Sequence, residues 1–82
     1  MFTVYILYSP TINRYYTGQT SDFERRYVEH NRGKTAFMAR GAPWMVIWKN
    51  DYITRSEAMS VEKAIKSRGA KRFIEDQDRS VG

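Results

Sequence analysis

With 82 residues the chain makes one small domain, and the absence of cysteine excludes disulfides and thiolate metal sites. No apolar run approaches the roughly 20 residues needed to span a bilayer, and no charged start leads into a long apolar stretch. The expectation is therefore a cytoplasmic protein with neither membrane segment nor signal peptide. The formal charge of +5 and isoelectric point near 9.7 fit either plain solubility or a nucleic-acid footprint, and the spread of basic residues along the chain predicts a folded basic surface.

Phe2 to Tyr8 is β-branched and aromatic, which predicts a strand. Ser9-Pro10-Thr11-Ile12-Asn13 is a turn segment, and Arg14 to Gly18 reads as the hairpin partner. That pairing places Tyr5 and Tyr16 nearly opposite one another on one face. Ser21-Asp22-Phe23-Glu24 has the capping-box pattern, with Ser21 as N-cap of a helix that runs to about Asn31 and ends near Gly33. Residues 33–43 have no clear period and read mostly as loop.

Trp44 to Tyr52 predicts a third strand, whose apolar heart suggests a central position covered on both faces. Thr54-Arg55-Ser56-Glu57 is a second capping box, opening a helix to about Arg68 with Ala58, Val61 and Ile65 as its inward stripe. Gly69 ends it, and Ala70 to Glu75 predicts a short last helix. The expected organisation is a single domain over 1–76 and a frayed polar tail over 77–82. The pattern is ββαβα: an α+β fold on a three-stranded antiparallel sheet.

Several residues break the packing pattern. Phe23, Tyr27 and His30 mark the sheet-facing side of the first helix, and Arg26 stands at its border, four residues before His30. A guanidinium there either snorkels to solvent or, with His30, faces a phosphate, whose oxygens its planar donor fork matches. On the second capped helix, at about 100° per residue from Ala58, Glu62 falls near +40°, beside the buried stripe. It either pairs with a neighbouring Lys or Arg, or acts as the sole protein ligand of a hard divalent cation, which Mg²⁺ tolerates by keeping its waters and substrate phosphate. Trp44 and Trp48 fit core packing better than base stacking, and Tyr8, Tyr15, Tyr27 and Tyr52 read as ordinary packing or surface residues. No Gly-rich phosphate loop or RNP1 pattern is present.

Taken together, these residues resemble the GIY-YIG nuclease family. Tyr5 and Tyr16 sit in a hairpin, Arg26 follows ten residues later, then His30, and Glu62 lies within Ala58-x-x-x-Glu62-x-x-Ile65-Lys66. Val4-Tyr5-Ile6-Leu7, Tyr16-Thr17-Gly18-Gln19-Thr20, Phe23-Glu24-Arg25-Arg26, Glu29-His30-Asn31, Gly33-Lys34 and Arg55-Ser56-Glu57-Ala58 are similar to its small stand-alone bacterial members, which look like the N-terminal nuclease domain of the bacterial excinuclease. The first motif lacks its Gly, Thr17 replaces Ile, and Gln19 stands where some members carry Lys.

The resemblance implies an endonuclease that hydrolyses DNA phosphodiester bonds with Mg²⁺ or Mn²⁺, in repair, recombination or processing. RNA stays open as a substrate, and a protein partner could supply targeting. Tyr5, Tyr16, Arg26, His30 and Glu62 would be the catalytic set, with Glu62 the metal ligand. Gly18, Arg25, Lys34, Arg40 and Lys66 would contact nucleic acid. The general base is left open between Tyr5, whose phenolate would need nearby positive charge, and His30. The alternative is a non-catalytic nucleic-acid-binding module that keeps the fold.

Overall fold

The computed structural model describes residues 1–80, with side chains through Asp78. Two strands, β1 (Phe2–Ser9) and β2 (Arg14–Thr20), form the expected hairpin. Then come α1 (Phe23–Asn31), α2 (Ala36–Gly41), β3 (Met45–Tyr52), α3 (Arg55–Arg68) and α4 (Ala70–Ser80). The sheet is antiparallel with order β2-β1-β3, so the α+β architecture is as expected from the sequence.

The first strand, not the third, is the covered one. Val4 and Ile6 are fully buried against Ala58 and Ile65 of α3, while Tyr5 and Leu7 are buried on the other side against Met38 and Trp44. β3 instead lies at an edge, with Met45, Val46 and Ile47 at 52%, 38% and 37% exposure. A continuous apolar run does not say which strand is central. Trp44, which lent β3 much of its apolar look, precedes the strand and lies in the α1–α2 core.

The capping chemistry explains where the helices begin. Thr54 caps α3 reciprocally: its Oγ1 accepts from the Glu57 backbone N–H at 3.1 Å and donates to the Glu57 carboxylate at 3.1 Å. The cap of α1 is Asp22, one residue after the expected Ser21. Its Oδ1 accepts from the Arg25 N–H at 3.3 Å, and Thr20 Oγ1 holds the Asp22 N–H at 3.0 Å. Gly33 and Gly69 follow α1 and α3 with φ of 74° and 95°, the left-handed region in which glycine carries no Cβ penalty.

Two stretches are more helical than expected. Within 33–43, Thr35 accepts from the Met38 N–H at 3.2 Å and starts α2, six residues that are too short to show a period. The last helix continues past Glu75 to Ser80, with Asp76 bound to Arg68 at 2.8 and 3.1 Å. Positions 81–82 of the expected tail lie outside the described residues. No helix among the described residues is long and apolar enough to cross a membrane.

Candidate active site

β1 and β2 carry the two phenols, but not directly across from each other. Tyr5 is opposite Gly18, and Tyr16 is opposite Leu7. Tyr5 and Tyr16 are therefore diagonal neighbours on one face, two residues offset from the expected register, with ring centroids 6.3 Å apart. β1 runs on through Ser9, which pairs with Arg14, so the turn is centred later along the chain than a direct Tyr5–Tyr16 pairing requires, with Asn13 at positive φ just before β2. Across from Tyr5, a side chain would collide: a Cβ on Gly18 would stand 2.6 Å from the Tyr5 hydroxyl oxygen.

α1 lies over this face. Phe23 meets the Tyr5 ring edge-on at 5.3 Å and stacks with Tyr27 at 5.7 Å. The Tyr27 hydroxyl donates to the Trp44 carbonyl at 2.7 Å, and the Trp44 indole donates to the Met38 carbonyl at 3.0 Å. These bonds tie α1, α2 and the entry to β3 together around a buried imidazole. His30 Nε2 is 3.1 Å from the Tyr5 hydroxyl, His30 Nδ1 is 3.0 Å from the Met38 sulfur, and the Tyr16 ring packs at 4.8 Å.

The sulfur fixes the proton. A thioether has no hydrogen to give, so Nδ1 carries the N–H and donates to Met38 Sδ. Nε2 is then the bare nitrogen and accepts from the Tyr5 O–H. Met38 is a site residue that sequence reasoning passed over, because it lies in the stretch read as loop. Burial, then the Arg26 charge, lower the His30 pKa, with Glu29 opposing, so the imidazole is neutral near pH 7 and able to accept.

Tyr5 titrates the other way. Burial, and next the neighbouring Tyr16, push its pKa well above the usual phenol range; Arg26 opposes this and the Glu62 carboxylate adds to it. Arg26 alone therefore does not create a phenolate at Tyr5. The phenol is a held proton, donated to His30.

Arg26 supplies the positive charge of the site. Its Nε is buried and makes no hydrogen bond among the described residues; the nearest acid oxygen is Glu29 Oε1 at 3.7 Å. A buried guanidinium N–H without an acceptor is costly, and it is the kind of donor a phosphate oxygen would satisfy.

Glu62 approaches from a different side. Its helix covers the Val4 and Ile6 face, opposite the phenols, and no hydrogen bond links Glu62 to Tyr5, Tyr16 or His30. It joins the set through its charge, which acts on Tyr5. The carboxylate is 20% exposed, pairs with Lys66 Nζ at 3.0 Å and lines a groove of about 700 Å³ with Arg55, Met59 and Lys63. No cluster of three or more His, Cys, Asp or Glu side chains occurs among the described residues. One hard oxygen donor fits a Mg²⁺ or Mn²⁺ ion held chiefly by water and phosphate, and excludes a dedicated protein cage.

Of the expected nucleic-acid contacts, Gly18 lies buried beside Tyr5, Lys66 is engaged with Glu62, and Arg25 and Arg40 are exposed. Lys34 is exposed and lies 4.0 Å from Glu29.

A sequence model described as "GIY-YIG catalytic domain" matches residues 1–74. Curated relatives include a UPF0213 protein of Haloquadratum walsbyi, 47% identical over 63% of this chain and 60% of its own length. A UPF0213 protein of Cronobacter sakazakii is 39% identical over 77% of this chain and 66% of its own. A third, from Streptococcus pneumoniae serotype 4, is 36% identical over 82% and 73%. The chain thus matches less than two thirds of the length of the first two. No solved structure matches it significantly.

Proposed function

The chain belongs to the GIY-YIG catalytic-domain family, a nuclease superfamily, and from that premise we propose that it is a cytoplasmic endonuclease that hydrolyses DNA phosphodiester bonds in repair, recombination or processing. The observation that carries this reading is the buried Nε of Arg26, which makes no hydrogen bond and has only Glu29 at 3.7 Å, beside the Tyr5–His30 hydrogen bond. It combines an empty donor for a phosphate with a ready path for a proton. In this reading the basic surface around Arg25, Lys34, Arg40 and Lys66 holds the backbone, a sequence-blind and salt-sensitive interaction.

The chemistry follows from the protein's own groups. Arg26 binds a non-bridging oxygen of the scissile phosphate and stabilises the negative charge that grows in the transition state. Tyr5 orients the attacking water. As the water oxygen bonds to phosphorus and the bond to the leaving oxygen breaks, the water's proton passes to the Tyr5 oxygen and the Tyr5 proton passes to His30 Nε2. In this reading the acceptor is the neutral imidazole, so His30 is the base with Tyr5 as intermediary; the Tyr5–His30 hydrogen bond supports it. Tyr16 packs the imidazole in place. Glu62 would hold Mg²⁺ or Mn²⁺, which when bound neutralises charge on the phosphate and leaving oxygens.

One observation favours the alternative of a binding module without turnover: the Glu62 carboxylate is already paired with Lys66 at 3.0 Å. A nicking assay on plasmid, flap and branched DNA with Mg²⁺ or Mn²⁺ separates the two. Cleavage that disappears in both Glu62→Gln and Arg26→Ala supports the endonuclease. DNA binding without metal-dependent cleavage supports the binding module, and cleavage that persists in both variants refutes the assigned site.

A further inference from the structure

A second concavity adjoins this site and is not explained by the hydrolysis of one phosphate. It is a polar pocket of about 250 Å³ between the end of β2, the start of α1 and the start of α3, lined by Gln19, Thr20, Arg25, Arg26 and Arg55 among others. No acidic residue lines it among the described residues. Arg25 and Arg55 make no ion pair among those residues, and Arg26 Nε makes no hydrogen bond, its ion-pair partner Glu29 standing 3.7 Å away and outside the lining. Three like charges around a small space repel one another unless an anion sits between them. The Phe2 ring lies 5.5 Å from the Arg55 guanidinium, a cation–π contact that holds Arg55 in position. Arg55 is also the first residue of α3, whose N-terminus adds to the positive field.

We propose that this pocket binds a second phosphate of the nucleic-acid strand, next to the one that faces Arg26, with Arg55 as its anchor. The inference rests on the reading of Arg26 as the scissile-phosphate group. Arg25 adds charge, and Gln19 and Thr20 supply neutral donors. Three arginines with Gln19 and Thr20 suit a phosphodiester unit, so the pocket reads backbone and not sequence. Arg55 lines both this pocket and the Glu62 groove, so the two concavities adjoin at its side chain. A strand crossing the site thus places one phosphate in the pocket and its neighbour between Arg26 and Glu62.

The test needs no turnover and no metal. Binding of the thymidine dinucleotides pTpT and TpT is followed by NMR through the guanidinium N–H signals of the full chain. The wild type binds pTpT about tenfold tighter than TpT, the size of one charge-assisted hydrogen bond, and the Arg55 signal moves only with pTpT. Arg55→Gln loses that gain while still binding TpT, Arg55→Lys keeps part of it, and Lys71→Gln on α4 keeps all of it. Equal affinity for the two ligands in the wild type, or a gain that survives in Arg55→Gln, overturns the proposal. Because no cleavage is measured, an inactive protein with the pTpT gain sinks only the endonuclease reading, and an active one without the gain sinks only the pocket.

Discussion

Gly18→Ala is the sharpest perturbation of the site, because it adds one methyl group at a known place. The new Cβ would lie 2.6 Å from the Tyr5 hydroxyl, 2.8 Å from its Cζ and 3.1 Å from Tyr16 Cε1. Ordinary contact begins near 3.4 Å, so the phenol must retreat by roughly 0.8 Å. It has little room, being 1% exposed and packed against Phe23, Tyr16 and His30. Overpacking of this kind costs about 1–3 kcal/mol, and displacing the hydroxyl stretches the 3.1 Å bond to His30. A misplacement of about 1 Å is worth on the order of a hundredfold in rate. The expected result is a modest loss by urea denaturation and a loss of about two decades in single-turnover nicking. Gly18→Ala on a Tyr5→Phe background removes the worst contact and should recover part of the stability but none of the activity. If Gly18→Ala nicks at the wild-type rate with unchanged stability, the placement of Tyr5 over Gly18 is wrong, and the proton path with it.

Other expectations concern titration, packing and metal. The folded pKa of His30, the only histidine, is lowered. As pH falls below about 6.5 the unfolded chain takes up the proton first, so stability declines with falling pH until the folded imidazole also protonates. Urea midpoints across this range should show that decline in the wild type and lack its imidazole component in His30→Gln. Tyr5 has a raised folded pKa, so its contribution holds below about pH 10 and is lost as pH rises above it; Tyr5→Phe should flatten the alkaline limb of the same series. Ile65→Ala, which empties a fully buried contact with Val4 and Ile6, should lose about 2–5 kcal/mol by denaturation. Lys66→Ala removes the cation now 3.0 Å from Glu62 and should lower the Mn²⁺ concentration for half-maximal nicking several-fold (roughly 3–10).

The sequence carries the fold wherever its signals are local. Thr54 and Glu57 announce α3, and the five consecutive buried residues Thr3 to Leu7 mark a strand. It is silent where the answer depends on packing partners. The edge position of β3 comes from the pairing of both neighbours with β1, which no property of Trp44 to Tyr52 encodes. The diagonal offset of Tyr5 and Tyr16 comes from the conformation of the turn, one residue of which takes positive φ. At the site, spacing along α1 places Arg26 beside His30, but the proton direction depends on Met38, whose helix is too short to recognise. Glu62 was legible as an acid beside a buried stripe. That its helix covers the sheet face opposite the phenols was not, because helix phase fixes an angle and not which side of the sheet the helix packs on.

The proposed mechanism puts one phosphate between Arg26 and a metal on Glu62. Crystals grown with Mn²⁺ and an uncleavable phosphorothioate oligonucleotide test it directly through anomalous scattering. A manganese peak on the Glu62 carboxylate and a phosphate oxygen accepting from Arg26 Nε are expected. Manganese bound elsewhere, or a strand held on Lys34 and Arg40 with no phosphate oxygen on Arg26 Nε, contradicts it.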